Sequence, residues 1–292
     1  MKTLSDVYLE TRRALKLAGI EAFSLEAQCI VAGAARKTRA ELMRDLKLYA
    51  TSEFAGRVRA MTERRIAGEP VAYVTGEWEF MGLPISVNRD VLIPRTDTEV
   101  LAEKAIALLR GRESGARVLD LCCGSGCIGI SIAAALPNCR VVLVDNSMKA
   151  IAVTRDNVLR NHVARSCAVI DADAMKAPPL LLGRFDMIVC NPPYIATEEI
   201  MTLDESVKDY EPRAALDGGT DGLDFYRAIT PRWSTILKDR GCLMYECGEG
   251  QAFAVAEIMK QSGFKGISTI KDTIGVDRVV VGIKMQEDMT NG

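Results

Sequence analysis

From residue 117 onwards the chain alternates two kinds of apolar pattern, and this alternation limits the fold more than any other feature of the sequence. Short, nearly continuous apolar runs at 117–122, 140–145, 185–190, 241–247 and 278–283 carry the mark of strands buried on both faces. Helical stretches such as 129–136 and 252–262 separate most of them. Parallel strands need long crossovers, so this order predicts an α/β fold with a mostly parallel sheet covered by helices on both sides. Ligands in such sheets bind beyond the carboxyl ends of the strands. The residues able to do chemistry fall there: a glycine turn closes the first run, Asp145 the second, and Asn191 follows the run at 185–190.

Residues 1–75 read as helical, with Leu4, Val7, Thr11, Ala14, Leu15 and Ala18 recurring at three- and four-residue intervals and Thr38 with Glu41 forming a capping box. This part holds thirteen Lys/Arg and nine Asp/Glu, so it carries 13 − 9 = +4, against −2 for the whole chain. The asymmetry suits either an acidic or nucleic-acid-containing partner or a solvated helical surface. The flanks of Gly82, from Trp78 to Val87, are strand-like and predict a hairpin. Thr96 and Glu99 make a second capping box for a helix running to Leu109.

A chain of 292 residues with 48% hydrophobic content can build one large α/β domain and a smaller one. No apolar run reaches the length of a membrane span, and the first residues, with Asp6 and Glu10, lack a signal-peptide profile, so a cytoplasmic protein with no membrane partner is expected. Nine cysteines fit that compartment, since Cys122, Cys190, Cys242 and Cys247 lie in apolar runs where a thiol acts as a small hydrophobe. Cys122, Cys123 and Cys127 lack a second C-x-x-C pair and a fourth ligand, and no metal is expected. The single histidine, His162, sits in a polar stretch near a helix end, which disfavours Ser-His-Asp or Cys-His catalysis.

Asp120-Leu121-Cys122-Cys123-Gly124-Ser125-Gly126 closes the first strand, and Gly124, Gly126 and Gly129 match G-x-G-x-x-G with Asp145 about 20 residues on. The spacing serves a nicotinamide dinucleotide or a nucleoside methyl donor equally. Asp120 favours the second, because a carboxylate at that strand end crowds a pyrophosphate but receives the ammonium of a methionine moiety. Asp145 accepts from ribose hydroxyls under either reading.

Asn191-Pro192-Pro193-Tyr194 stops a strand at two prolines. Proline lacks an N–H and fixes φ, so the turn is stiff and Asn191 is extended. The result is a rigid edge with one carboxamide, one free carbonyl and one ring, a set that can hold a planar amide or amine between two acceptors and a π face.

Asp-x-x-x-Gly-x-Gly, the acidic residue after the second strand and Asn-Pro-Pro-Tyr together resemble the class I S-adenosylmethionine-dependent methyltransferases that act on amide or amino nitrogens. Three further segments narrow the likeness: Gly68-Glu69-Pro70-Val71-Ala72-Tyr73-Val74-Thr75-Gly76, Val91-Leu92-Ile93-Pro94-Arg95-Thr96-Asp97-Thr98-Glu99 and Glu211-Pro212-Arg213-Ala214-Ala215-Leu216-Asp217-Gly218-Gly219-Thr220-Asp221-Gly222-Leu223. They are similar to the HemK/PrmC family, which methylates N5 of the glutamine in the Gly-Gly-Gln loop of peptide chain release factors. The resemblance runs from about residue 65 to Ile283. It implies a Rossmann-like, mostly parallel seven-stranded sheet, with a helical substrate-recognition domain at 1–75, a β-hairpin linker at 76–93 and the methyltransferase domain at 94–292.

The same resemblance implies S-adenosylmethionine as cofactor, with S-adenosylhomocysteine as product, held by Asp120, Cys122, Cys123, Gly124, Ser125, Gly126, Asp145, Asp173 and Asn191. Asp173 corresponds to the acidic position near the adenine amino group, with Asp171 a close competitor. Asn191, Pro192 and Tyr194 carry catalysis, and Asn191, Pro192, Pro193 and Tyr194 bind the glutamine: the Asn191 oxygen and the Pro192 carbonyl accept its two N–H bonds while Tyr194 packs on the amide plane. Two departures stand out, Cys122 for the usual glycine and Thr96 for the usual proline. The first bears on cofactor affinity if position 122 needs φ > 0. Release factors are the implied partners, with no direct nucleic-acid binding. The alternatives are a ribosomal-protein glutamine methyltransferase and a DNA adenine methyltransferase; the latter shares Asn-Pro-Pro-Tyr but usually shows a basic target-recognition region that this chain lacks.

Overall fold

The computed structural model describes residues 2–111 and 115–285. Two compact units make up the chain, one of Met1–Trp78, Val87–Arg89 and Asp204–Glu211, the other of Glu79–Ser86, Asp90–Leu203 and Pro212–Gly292.

The smaller unit begins with β1 (Lys2–Thr3) and α1 (Leu4–Leu17), followed by α2 (Phe23–Ala35), α3 (Arg39–Arg44), β2 (Tyr49–Ala50), α4 (Ser52–Ile66) and α5 (Val71–Thr75). The helical period reads correctly at Leu4, Val7, Thr11 and Leu15, which are buried, but Ala14 is only half-buried and Ala18 is exposed because it is the residue that ends α1. Leu15 packs with Ile30, Val31, Leu42, Phe54, Val58 and Val74 in the core of this unit. The Thr38–Glu41 capping box forms as expected, and Thr3 with Asp6 makes another at the start of α1. The ladder of β1 and β2 pairs only two residues per strand, too few for any periodicity to reveal. The segment from 204 to 211 joins this unit through Tyr210, whose hydroxyl donates to the Ala67 carbonyl at 2.9 Å and whose ring lies 4.7 Å from the Arg89 guanidinium.

A hairpin follows, β3 (Glu77–Phe80) and β4 (Leu83–Ser86), turning on Met81 and Gly82 at φ 52° and 74°. Two successive left-handed residues are what a tight two-residue hairpin requires.

The larger unit continues through α6 (Thr96–Leu109), β5 (Arg117–Leu121), α7 (Cys127–Ala135), β6 (Arg140–Asp145), α8 (Met148–Arg160), β7 (Cys167–Asp171) and β8 (Phe185–Cys190). After β8 come α9 (Glu205–Lys208), in the segment that belongs to the smaller unit, and then α10 (Asp224–Trp233), β9 (Leu237–Glu246), α11 (Ala252–Gln261), β10 (Phe264–Lys271) and β11 (Asp277–Lys284). Seven strands form one sheet in the order β10-β11-β9-β8-β5-β6-β7, with β11 antiparallel to both neighbours and the other pairings parallel. The two strands that the apolar runs named above did not include, β7 and β10, are the edges of this sheet, where one side of the ladder is open and full burial is not required; β7 carries only the short run 167–170 and is partly buried. One core cluster centres on Leu119, Ile188, Leu243, Tyr226 and Trp233. Because β5 has β6 on one side and β8 on the other, the strand order reverses across it and a crevice opens at the carboxyl ends of those parallel strands.

The start of α6 differs from the capping-box expectation. Arg95 precedes the helix without a side-chain cap, and Glu99 Oε1 instead accepts the Met81 N–H at 2.6 Å. The hairpin's left-handed turn leaves that N–H without a ladder partner, and the nearby carboxylate satisfies it. No helix among the described residues is long and apolar enough to cross a membrane. His162 is exposed just beyond α8, and the nine cysteines are all free thiols.

Candidate active site

A cavity of about 350 Å³ opens at the carboxyl ends of β5, β6, β7 and β8. Its size suits a nucleoside-bearing small molecule. Of the residues singled out from sequence, Cys122, Cys123, Gly124, Ser125, Asp145, Asn191 and Pro193 line it.

The turn after β5 is a run of special conformations: Cys122, Gly124 and Gly126 have φ of 56°, 54° and 82°. Position 122 therefore does adopt the left-handed backbone that favours glycine, with a cysteine in it. A side chain on Gly124 would meet nothing within 4 Å, which leaves room for a ligand to approach the backbone, whereas Gly129 is bare because a Cβ there would stand 2.6 Å from Leu143. From the far side α8 ties the turn down: Thr154 Oγ1 donates to the Gly124 carbonyl at 2.6 Å and Asn157 Nδ2 to the Ser125 carbonyl at 2.9 Å. Both are buried polar residues on an otherwise apolar helix face, a signal the sequence does carry.

Asp145 orients itself by accepting Gly124 N–H on one oxygen and Ser147 N–H on the other, each at 2.9 Å. A carboxylate oxygen has a further lone pair, so both remain able to accept from a pair of hydroxyls. Asp120 differs. It is fully buried, does not line the cavity, takes the Gly129 N–H on Oδ2 at 2.8 Å and leaves Oδ1 without a partner among the described residues. Burial pushes its pKa up from 3.8 to about 7. Neither Asp171 nor Asp173 lines the cavity; Ala172 and Ala174 do, while Asp173 Oδ1 accepts the Met175 N–H and its other oxygen pairs with Lys176 at 3.4 Å.

At the end of β8, Asn191 Nδ2 donates to Thr98 Oγ1 on α6 at 3.3 Å. With the nitrogen so engaged, the carboxamide oxygen is the end left for a ligand. Pro192 and Tyr194 stand outside the cavity lining. Tyr194 points its hydroxyl at Glu246 Oε1, 3.5 Å away, and burial raises its pKa. Its carbonyl is held by Gln251 Nε2 at 2.8 Å, and the next residue is clamped on both sides: the Ile195 N–H donates to the Leu216 carbonyl at 3.0 Å and the Ile195 carbonyl accepts the Gly218 N–H at 2.8 Å. The Asp217-Gly218-Gly219 loop thus braces the proline turn. It also brings Pro212, Ala214, Ala215 and Asp217 to the cavity, which Leu92, Pro94 and Arg95 line too. Those segments stood out in the sequence as family signatures, but nothing in their spacing gave them a place at the site.

Burial pushes the Cys127 thiol up to about 12 and Cys123 well above its ordinary value, which disfavours a thiolate nucleophile at either position at neutral pH. No group of three or more metal-binding side chains occurs among the described residues.

Comparison with known proteins bears on what this cavity belongs to. Residues 6–76 match the PrmC N-terminal domain and residues 98–208 the methyltransferase small domain. The release factor glutamine methyltransferase of Geobacter sulfurreducens is 42% identical over 280 residues, 96% of each chain. The chain belongs to the release factor glutamine methyltransferase family. A second relative carrying that name, from Clostridium botulinum, is 34% identical over 95% of this chain and 98% of its own. Among solved structures, a methyltransferase from Pyrococcus furiosus covers 81% of this chain and all of its own with a TM-score of 0.53 at 18% identity, a likeness of fold. In this methyltransferase family member the glycine turn, Asp145 and the proline turn occupy the ends of β5, β6 and β8, around the point where strand order reverses.

Proposed function

We propose that the chain transfers the methyl group of S-adenosylmethionine to the side-chain amide N5 of the glutamine in the Gly-Gly-Gln loop of peptide chain release factors. The names of its relatives support the substrate class. The observation that carries the chemistry is Asn191, lining the cavity with its nitrogen engaged by Thr98 and its oxygen left to accept.

The cavity fits the methyl donor by its size, by the bare backbone at Gly124 and by the acceptor pair of Asp145. Asp145 would hold the ribose hydroxyls, Cys123, Gly124 and Ser125 the main-chain approach, and Asp120 would act on the ammonium group through space from beneath the turn. When bound, the donor supplies a methyl made electrophilic by its positive sulfur.

The remaining work falls to the chain. An amide nitrogen shares its lone pair with its carbonyl and is a poor nucleophile, so orientation matters more than a base. The Asn191 oxygen and the Pro192 carbonyl accept the two N–H bonds of the glutamine and aim its nitrogen along the line of transfer. Two acceptors also stabilise the positive charge that develops on that nitrogen, and because the turn is stiff little reorganisation is needed when it does. Tyr194, fixed by Gln251 at its carbonyl, packs beside the amide. The surplus proton leaves to water.

Incubation with labelled S-adenosylmethionine and purified release factor should label one glutamine, in the Gly-Gly-Gln loop, at one methyl per chain by intact mass and fragmentation. Label on DNA or on a ribosomal protein with none on release factor would overturn the substrate assignment.

A further inference from the structure

Two buried side-chain oxygens lack a partner among the described residues: Asp120 Oδ1, already placed beneath the glycine turn, and Glu246 Oε2, to which the chemistry above gives no part. Glu246 ends β9 and is 1% exposed. Burial pushes its pKa from 4.5 to about 7 against the pull of the neighbouring Thr98 hydroxyl and of Arg278.

The groups that face Glu246 come from every element around it. Thr98 and Asp97 stand on α6, Cys127 on α7, and Tyr194 follows β8. Tyr226 on α10 donates its hydroxyl to the Glu246 carbonyl at 2.8 Å, Cys247 adjoins in sequence, and Arg278 lies on β11. Arg278 is shared with Asp272 at 3.2 Å and Asp97 at 3.6 Å.

Thr98 links Glu246 and Asn191: its hydroxyl acts on Glu246 on one side and bonds Asn191 on the other. Its oxygen accepts the Asn191 Nδ2 hydrogen, which leaves its own proton to donate elsewhere. A carboxylate can only accept, so ionised Glu246 takes that proton's hydrogen bond and holds the chain of bonds in one direction. A carboxylic acid can donate. Protonated Glu246 can therefore turn the Thr98 hydroxyl round to donate to Asn191, which then presents its NH₂ instead of its oxygen to the cavity.

We propose that Glu246 is a positioning residue acting through Thr98: its carboxylate sets the direction of the Asn191–Thr98 hydrogen bond and so turns the Asn191 oxygen toward the substrate amide. The inference rests on the role given to Asn191 above.

Single-turnover methylation of release factor between pH 5.5 and 9 tests it. The wild-type rate should fall about tenfold for each pH unit below about 7. Asp120 titrates in the same range, so the wild-type limb alone assigns nothing. Glu246→Gln cannot titrate and should lose the limb. Thr98→Val should lower kcat roughly 10–100-fold with little change in KM and also lose the limb, while Thr98→Ser restores both. In the unloaded protein, the infrared band of a protonated carboxyl should disappear with a midpoint near 7, and part of it should be missing from Glu246→Gln. Should Glu246→Gln not fold, the Thr98 pair decides alone. An acid limb retained in Glu246→Gln or Thr98→Val, or a wild-type kcat in Thr98→Val, overturns the relay. Asn191→Ala turning over like wild type would instead overturn the reading beneath it.

Discussion

Asp120 offers the most direct measurement of how the site is held. In the folded chain it releases its proton near pH 7, in the unfolded chain near 3.8. Between those values the folded state binds more protons than the unfolded one, so ∂ΔG/∂pH is negative: stability falls as pH rises from about 4 and levels off above about 7. A tenfold change in proton binding is about 1.4 kcal/mol, so the full cost of ionising Asp120 is about 4 kcal/mol, of which roughly 2–3 kcal/mol accrues between pH 5 and 8. Asp120→Asn removes it. The new NH₂ occupies the position of the unpartnered oxygen and costs about 1–3 kcal/mol as an unsatisfied donor, but that cost does not vary with pH. Glu246 titrates in both proteins and cancels. Urea unfolding at pH 5, 6, 7 and 8, followed by Trp233, which is fully buried in the larger unit, should show the variant gaining roughly 2–3 kcal/mol on wild type across the range. A difference that stays flat with pH would mean that Asp120 is not held as the acid, and the electrostatics drawn here beneath the glycine turn would be wrong.

Asp145→Ala should weaken binding of S-adenosylmethionine and S-adenosylhomocysteine by about 1.5–3 kcal/mol in calorimetry, the range for hydrogen bonds to a charged group; an unchanged Kd removes it from the cofactor site. Asn191→Ala should keep the fold and most of that affinity while lowering the transfer rate by roughly 10²–10³, as removal of one preorganised acceptor does, read by single-turnover kinetics. Gly222→Ala places a methyl group on a residue at φ 72°, against the Tyr194 carbonyl and 2.6 Å from Gln251 Nε2. It should slow transfer at least tenfold, with little effect on calorimetric cofactor binding, because it disturbs the brace on the proline turn and leaves Asp145 alone.

What the sequence made legible follows burial. Strands β5, β6, β8, β9 and β11 are enclosed by neighbours on both sides and announced themselves as apolar runs, whereas the sheet edges were harder to read: β10 mixes polar with apolar residues, and β7 offers only the four-residue run 167–170. Glycine turn, Asp145 and Asn191 could be placed because strand ends in a parallel sheet are predictable from strand order. Contacts made across long sequence separations could not. Thr98 lies 93 residues from Asn191 and Gln251 lies 57 from Tyr194, and no local pattern links either pair. The capping box at Thr96 and Glu99 failed for the same reason: a local rule assigned Glu99 to its own helix, and a hairpin turn 18 residues away claimed it. Asp120 was seen as a strand-end carboxylate, but its complete burial depends on Gly129 packing against it.

The smaller unit is not contiguous in the chain. Helices α1 to α5 are complete by residue 75, yet α9 and Tyr210, which bonds to Ala67 and stacks with Arg89, are made more than a hundred residues later. At synthesis rates of about 5–20 residues per second, the nascent helices emerge and wait on the order of ten seconds for their last piece. During that interval the chain must thread β5 to β8, including the proline turn, before it can return to finish the unit at its start. Completion of the first part therefore reports that the strands of the site have already been synthesised, and ribosome-bound chains stalled before residue 204 should show it more open to protease than chains stalled beyond 211.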